Sequence, residues 1–387
     1  MHRQLKHIVV SLAAVLSLSL FAGNWTLDTT TKILTSEDGY WSLTNCSVSG
    51  KTLTLGKILA SAEDGILDFR NATVNDTAIN KITIAQSWGA SANVKEFYCD
   101  ALSQVISSLF SGNTILEKFQ VGSLSNKGIG SSSFKNCTSL TTLDFGGPIT
   151  SANTDAFSGC KNLDVDAAEL IATSFNTAGN TIFSGCSKLH GKLTLIGFSG
   201  IRLGAFSGTG IQELVLESPN FTSFQNKAFN GCTSLTNVTI SCANLTTLGA
   251  TTCPFENCTA LEKVTFNLPA VTTVSSNSNG HYFKGCSAIK EVIVRNSPWD
   301  ETLTRRWFNH HVFYSVPAVA ATVDAPKNCT IYALRSDYKP YASAMTGDYE
   351  KLYAPKRCYG VYCSGSSRLA YMAQPPDYKS GMFVSVQ

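Results

Sequence analysis

Eight phenylalanines set the frame of this chain. Phe110, Phe134, Phe157, Phe183, Phe206, Phe229, Phe255 and Phe283 recur at spacings of 23 to 28 residues. Two residues after each stands Gly112, Asn136, Gly159, Gly185, Gly208, Gly231, Asn257 or Gly285. Glycine and asparagine enter left-handed backbone at low cost, so a tight turn is predicted in every copy. One residue further comes Cys137, Cys160, Cys186, Cys232, Cys258 or Cys286, with Asn113 and Thr209 in the slot of the other two copies. Apolar residues follow three, six and eight positions past the slot, as in Leu140, Leu143 and Phe145 or Leu235, Val238 and Ile240. The last two alternate with polar residues, the pattern of a short strand with one buried face. The copy at Phe206 is one residue short and the copy at Phe183 one long. The copy at Phe157 has Asp166 and Ala168 where apolar residues belong, which leaves its strand register open.

A unit this short cannot bury its own apolar face, but stacked units share a continuous core. The predicted fold is a repeat solenoid with a parallel β-sheet on one face and the Phe column packed inside against the Leu/Val column. It runs as one array over residues 91–296. The pattern Phe-x-Gly-Cys-x-x-Leu-x-x-Val-x-Ile resembles the BspA-like leucine-rich repeat family over about half the chain. The resemblance implies a right-handed leucine-rich repeat array in a secreted or surface-displayed bacterial protein. It implies binding to other proteins or host matrix rather than catalysis.

Residues 1–23 read as a cleaved secretory signal. Arg3 and Lys6 precede the apolar run Ile8 to Phe21, and Ala22 and Gly23 suit cleavage. The run is too short for a comfortable span, so the mature chain is expected to be exported and not membrane-spanning. Residues 24–90 carry strand signals at Leu53–Leu55, Leu67–Phe69 and Ile82–Ile84. They recur every 14–15 residues, too short for the full repeat, and are read as irregular N-terminal rungs or a hairpin cap. Trp25, Tyr40, Trp41 and Trp88 supply bulk to cover the end of the array. Asn296-Ser297-Pro298 breaks the repeat. Residues 297–387 are read as a small α+β cap, with a strand at Thr330-Ile331-Tyr332 and a short helix after it, followed by an unassigned tail.

The 13 cysteines of an exported chain first suggest a disulfide framework. The six slot cysteines read instead as a buried thiol ladder, because side chains in neighbouring rungs point the same way and bridge poorly. Cys46, Cys99, Cys242, Cys253, Cys329, Cys358 and Cys363 lie outside the slot. Among these, Cys358 and Cys363 are the candidate loop-closing pair. No Cys-x-x-Cys occurs, and the adjacent His310 and His311 point to opposite faces of any strand, so no metal site is expected. His-Glu-x-x-His, Gly-x-Ser-x-Gly and P-loop motifs are missing, so no cofactor and no catalytic residues are assigned.

The expected binding surface is the outward stripe of the sheet. By register it comprises Lys118, Gln120, Thr142, Asp144, Lys192, Thr194, Glu213, Val215, Asn237, Thr239, Lys263, Thr265, Glu291 and Ile293. The stripe is polar, mixed in charge and without an aromatic anchor, which fits a wet interface with protein or glycan rather than a small-molecule pocket. Net charge is +3, and residues 24–296 hold 18 Lys/Arg against 20 Asp/Glu, so the chain lacks the basic face that nucleic acid needs. The leading expectation is a non-enzymatic adhesion or surface-interaction protein. The alternatives are a self-associating component of the cell envelope and a glycan binder that uses the Tyr-rich tail.

Overall fold

The computed structural model describes residues 23–177, 179–248, 253–268, 270–271, 273–274, 282–289, 291–295, 330–333 and 360–362. The fold is a β-solenoid of about seven turns built on parallel sheets. It divides into two compact units: residues 1–148 with 160–163, and residues 149–159 with 164–387. The sequence reading carried a single array through this point.

In the first unit, Ile66–Phe69, Glu96–Leu102, Lys118–Leu124 and Thr142–Asp144 pair in parallel. Their register sets Leu67, Phe97, Phe119 and Leu143 side by side, all buried. A second column is formed by Thr52–Leu55 and Lys81–Ile84, where Leu53 faces Ile82 and Ile82 faces Leu102. The recurrence within residues 24–90 has a structural cause. The 14–15-residue recurrence is half a repeat, because successive strands fall alternately into two columns. Within a column the spacing is 29 residues from Leu53 to Ile82 and 30 from Leu67 to Phe97.

The unit is closed by an antiparallel sheet of Asn24–Asp28, Ile33–Ser36, Ser42–Thr44 and Lys57–Ala60. Trp25 stacks on Phe69 at 4.6 Å. Trp88 sits between Phe97 (5.8 Å) and Phe110 (5.5 Å) and donates its indole N–H to the Gly56 carbonyl at 2.8 Å. Trp41 is buried as well, but Tyr40 is 65% exposed and covers nothing.

In the second unit, Lys192–Ile196, Glu213–Glu217, Asn237–Ser241, Lys263–Asn267 and Glu291–Arg295 form an unbroken parallel sheet. Thr330–Ala333 adds to it in parallel, where the sequence places a strand, and Gly360–Tyr362 follows antiparallel. The helix expected after residue 332 lies outside the described residues. The irregular copy at Phe157 departs for a local reason. Its strand stops at Val165–Asp166, and the Asp166 carboxylate accepts the Ala168 N–H at 2.7 Å to cap the single turn Ala167–Leu170. A carboxylate cannot enter the apolar column unpaired, whereas Asp followed by Ala-Ala-Glu-Leu both caps and favours a helical turn.

All eight predicted turn residues, from Gly112 to Gly285, have φ between +58° and +80°. The sequence did not reveal a second left-handed position, two residues before the phenylalanine. Ser108, Ser132, Asp155, Thr181, Gly204 and Lys227 occupy it with φ from +50° to +59°. The paired bends bring backbone N–H groups against the next copy, as from Phe206 to Ala228 O (2.8 Å) and Gly208 to Asn230 O (2.8 Å). That ladder aligns the rings. In the second unit, Phe157, Phe183, Phe206, Phe229, Phe255 and Phe283 stack with centroids 5.0 to 5.5 Å apart and planes within 18°. In the first unit, Phe110 and Phe134 stack at 6.1 Å.

Candidate binding face

The slot cysteines are fully buried thiols. Each donates to the carbonyl of the phenylalanine one copy earlier, at 2.9 to 3.2 Å: Cys137 to Phe110, Cys160 to Phe134, Cys186 to Phe157, Cys232 to Phe206, Cys258 to Phe229 and Cys286 to Phe255. A hydrogen bond to Cys160, with burial, pushes the Cys137 thiol far above its ordinary range, and burial does the same for Cys232. These sulfurs hold protons rather than acting as nucleophiles. Cys46, Cys99 and Cys242 are buried and Cys253 is half-buried. Cys329, Cys358 and Cys363, and with them the candidate disulfide, lie outside the described residues. Among the described residues no group of three His, Cys, Asp or Glu is arranged to hold a metal ion.

The two slots without cysteine hold polar groups matched to their neighbours. Thr209 donates its hydroxyl to the Phe206 carbonyl at 3.0 Å. Asn113 donates to Ala92 O (2.9 Å) and Val94 O (3.4 Å), and accepts from the N–H groups of Ile115 and Leu116 at 3.0 Å each. A thiol cannot replace that set. Asn113→Cys is expected to destabilise the protein by about 3 kcal/mol, because several buried backbone groups lose their partner. Urea unfolding of the variant measures it, and a loss under about 1 kcal/mol would show that these bonds are dispensable.

The outward stripe is polar where the register places it. Gln120, Thr142, Asp144, Lys192 and Asn237 are exposed. Lys118, Thr194, Glu213, Val215, Thr239 and Lys263 are half-buried. Lys192 pairs with Glu213 at 2.9 Å, and Asp144 accepts the Gly146 N–H at 2.8 Å, which makes it a turn residue. Thr265 corrects the expectation: it is buried, 8% exposed. Its short side chain lies on an inner strand, flanked in register by Thr239 and by Glu291–Arg295. The side chains of Glu291 and Ile293 lie outside the described residues.

The face also carries an aromatic group that the sequence reading missed. In register, Tyr98 lies beside Asp68 and Gln120, and Glu96 beside Lys118. The Arg70 guanidinium lies 4.2 Å above the Tyr98 ring centroid. Its Nε is 3.0 Å from both Asp68 oxygens and its Nη2 is 2.5 Å from Oδ2. The Tyr98 hydroxyl donates to Glu96 at 2.5 Å, and Lys118 Nζ is 3.2 Å from the same carboxylate. Burial, then the Glu96 carboxylate, pushes the Tyr98 phenol up. Burial works against the Glu96 charge, but the Tyr98 hydroxyl and Lys118 outweigh it and hold that carboxyl below its usual range.

One signal could have found this group. Trp88 occupies the phenylalanine position of a further copy: Phe97 and Cys99 follow it by nine and eleven residues, as Phe119 and Val121 follow Phe110. A repeat pattern written on phenylalanine does not contain this copy, because its ring is an indole.

The family comparison covers the same repeats. Residues 90–190 and 166–290 match the model of the BspA type leucine rich repeat region, in six copies. Together the matches span just over half of the 387 residues. The chain belongs to the BspA-type leucine-rich repeat family. Solved structures similar to this BspA-type chain include a leucine-rich repeat protein from Bacteroides ovatus, with 16% identity over 66% of this chain and 86% of that one and a TM-score of 0.32. A leucine rich cell surface protein from Faecalibacterium prausnitzii is 17% identical over 67% and 84%, with a TM-score of 0.38. The pneumococcal vaccine antigen PcpA is 13% identical over 70% and 90%, with a TM-score of 0.31. No curated protein matches the chain. BspA-type membership points to a protein-binding or surface role, and members are typically non-enzymatic. No helix among the described residues is long and apolar enough to cross a membrane.

Proposed function

We propose that the chain is an exported, non-enzymatic binding protein that engages other proteins or extracellular matrix through its sheet face. Export is supported by the charged start, the short apolar run and the small residues that follow it. The observation that carries the binding reading is the Asp68–Arg70–Tyr98–Glu96–Lys118 network. Tyrosine and arginine are the residues that most often anchor interfaces. Here Asp68 holds the guanidinium in place before any partner arrives, so little side-chain entropy remains to be lost on binding. Glu96 and Tyr98 support it from below.

The test is a screen of the mature chain against arrays of matrix proteins and glycans, with each ligand recovered and examined for cleavage. Binding with intact ligand is expected. Arg70→Ala should weaken it by about 30-fold or more, the effect of losing a hot spot. Arg70→Lys should fail to restore it, since an ammonium neither stacks nor forks. Lys263→Glu probes the second unit's stripe and should change affinity far less. Binding that survives Arg70→Ala in a protein melting like wild type would move the site elsewhere, and a cut ligand would end the non-enzymatic reading.

A further inference from the structure

The Arg70 guanidinium has one edge filled and one edge free. Its N–H groups form a planar fork that grips a carboxylate through two parallel bonds. Asp68 fills the side edge, made by Nε and Nη2. The end edge, made by Nη1 and the second Nη2 hydrogen, has no acceptor among the described residues. The Tyr98 ring under the fork and Asp68 beside it fix the plane in which that free edge points.

Charge in this network is layered. The Asp68 side chain is 8% exposed beneath an Arg70 side chain at 32%, and Glu96 is 16% exposed beneath Lys118 at 42%. Each pair buries its acid under its base, so an arriving surface meets the two cations first. The four charges sum to zero, and residues 24–296 hold 18 Lys/Arg against 20 Asp/Glu. The array as a whole therefore does not draw anions, and any preference for them is local to these side chains. Asp100 works against it. This exposed carboxylate acts on the guanidinium, but it is turned to the backbone, where it accepts the Asn71 N–H at 2.7 Å. Asp144 lies two strands from Tyr98, beyond Gln120.

The aromatic ring of this face is 8% exposed and lies under the guanidinium, so it is not open for a sugar to stack on. That favours protein over glycan as the source of an acidic group. We propose that the Nη1–Nη2 edge of Arg70 takes an Asp or Glu carboxylate of a protein partner, with Lys118 flanking the acidic segment that carries it, an assignment that rests on the sheet-face binding proposed above.

Titration of the full chain with poly-L-glutamate, with poly-L-glutamine as the uncharged control, tests the assignment. Poly-L-glutamate should bind and poly-L-glutamine should not. Arg70→Gln should weaken binding about tenfold or more, the effect of losing charged hydrogen bonds. Arg70→Lys should weaken it nearly as much, because an ammonium presents no fork. Lys118→Gln should cost a smaller factor. Lys51→Gln removes the same charge from an exposed position outside this network and should change nothing. Asp100→Asn should tighten binding, because a like charge leaves while an oxygen remains for the Asn71 N–H. Lys118→Gln and Asp100→Asn carry the test if the Arg70 variants melt early. Absence of poly-L-glutamate binding overturns the assignment, as do equal losses in Arg70→Gln and Lys51→Gln. Tighter binding of polygalacturonate than of poly-L-glutamate overturns it in favour of a glycan carboxylate. If Arg70→Ala abolishes matrix binding while poly-L-glutamate fails to bind, the carboxylate assignment alone falls. If matrix binding ignores Arg70→Ala, the sheet-face reading falls and takes the assignment with it.

Discussion

Raising the pH from 8 to about 10 is expected to unfold this protein with a slope set by its buried thiols. Burial pushes the Cys242 thiol up to about 12 and raises the Cys99 and Cys232 thiols as well. Cys137 is raised by its hydrogen bond to Cys160 and by burial. In the unfolded chain each would ionise near about 8.5. The folded state therefore keeps protons that the unfolded state releases. The stability these thiols contribute is fully present below about pH 8.5 and is lost as pH rises toward the folded values. Each thiol costs about 1.4 kcal/mol per pH unit across that window, so four cost about 5 kcal/mol per unit. Against a usual stability of about 5–15 kcal/mol, one or two pH units suffice. Thermal melts between pH 7 and 10, with reductant present to prevent oxidation, measure the slope. Cys46 and Cys258 are raised too, so replacing Cys232 and Cys242 by alanine lowers the starting stability but should flatten the fall by about a third. A melting temperature that stays level to pH 10 would mean that the thiols reach water in the folded state.

The sequence read most clearly where the physics is local and repeated. A left-handed turn needs Gly or Asn, a strand needs alternation and a stacked core needs a ring at a fixed offset, so Gly112 to Gly285 and the six slot thiols fell into place. Three features stayed hidden, each for a stated reason. The outer left-handed position of the turn is held by Ser108, Thr181 or Lys227, residues with no preference for that backbone, because the inter-copy hydrogen bonds fix it from outside. The N-terminal rungs interleave two strand columns, and an interleaved pattern shows half its true period. The Arg70–Tyr98 contact joins residues 28 apart, Arg70 in the turn just past Ile66–Phe69 and Tyr98 on the strand of another copy, and that copy is led by Trp88 instead of phenylalanine. Alternation predicts which side of a strand a residue takes but not how far it is buried there, and Thr265 is 8% exposed.

Phe206→Ala is expected to destabilise the second unit by about 3–5 kcal/mol and to weaken its cooperativity. The ring is fully buried and stacks on both sides, on Phe183 at 5.5 Å and Phe229 at 5.2 Å. Its copy is also the one in this unit whose slot holds threonine, and the Thr209 hydroxyl bonds the Phe206 carbonyl of its own copy rather than reaching back to the copy before. Toward the next copy, Cys232 lies 3.3 Å from the Thr209 hydroxyl and bonds the Phe206 carbonyl, whereas toward the Phe183 copy the coupling rests on the ring stack and the backbone ladders. In a repeat array, stability is a sum of unit terms and nearest-neighbour terms, so removing a ring that serves two interfaces removes two neighbour terms at once. Urea unfolding followed by circular dichroism should show a lower midpoint and a shallower or two-step transition, because copies on either side begin to melt separately. Phe206→Leu keeps most of the volume and should cost under about 1.5 kcal/mol with a single transition. A double-mutant cycle with Phe229→Ala should give a coupling of about 1 kcal/mol, the aromatic contribution beyond area. If Phe206→Ala lost less than about 1 kcal/mol, the phenylalanine column would be filler, and the coupling between copies would rest on the parallel sheet from Lys192 to Arg295, the backbone ladder at the turns and the thiol–carbonyl bonds.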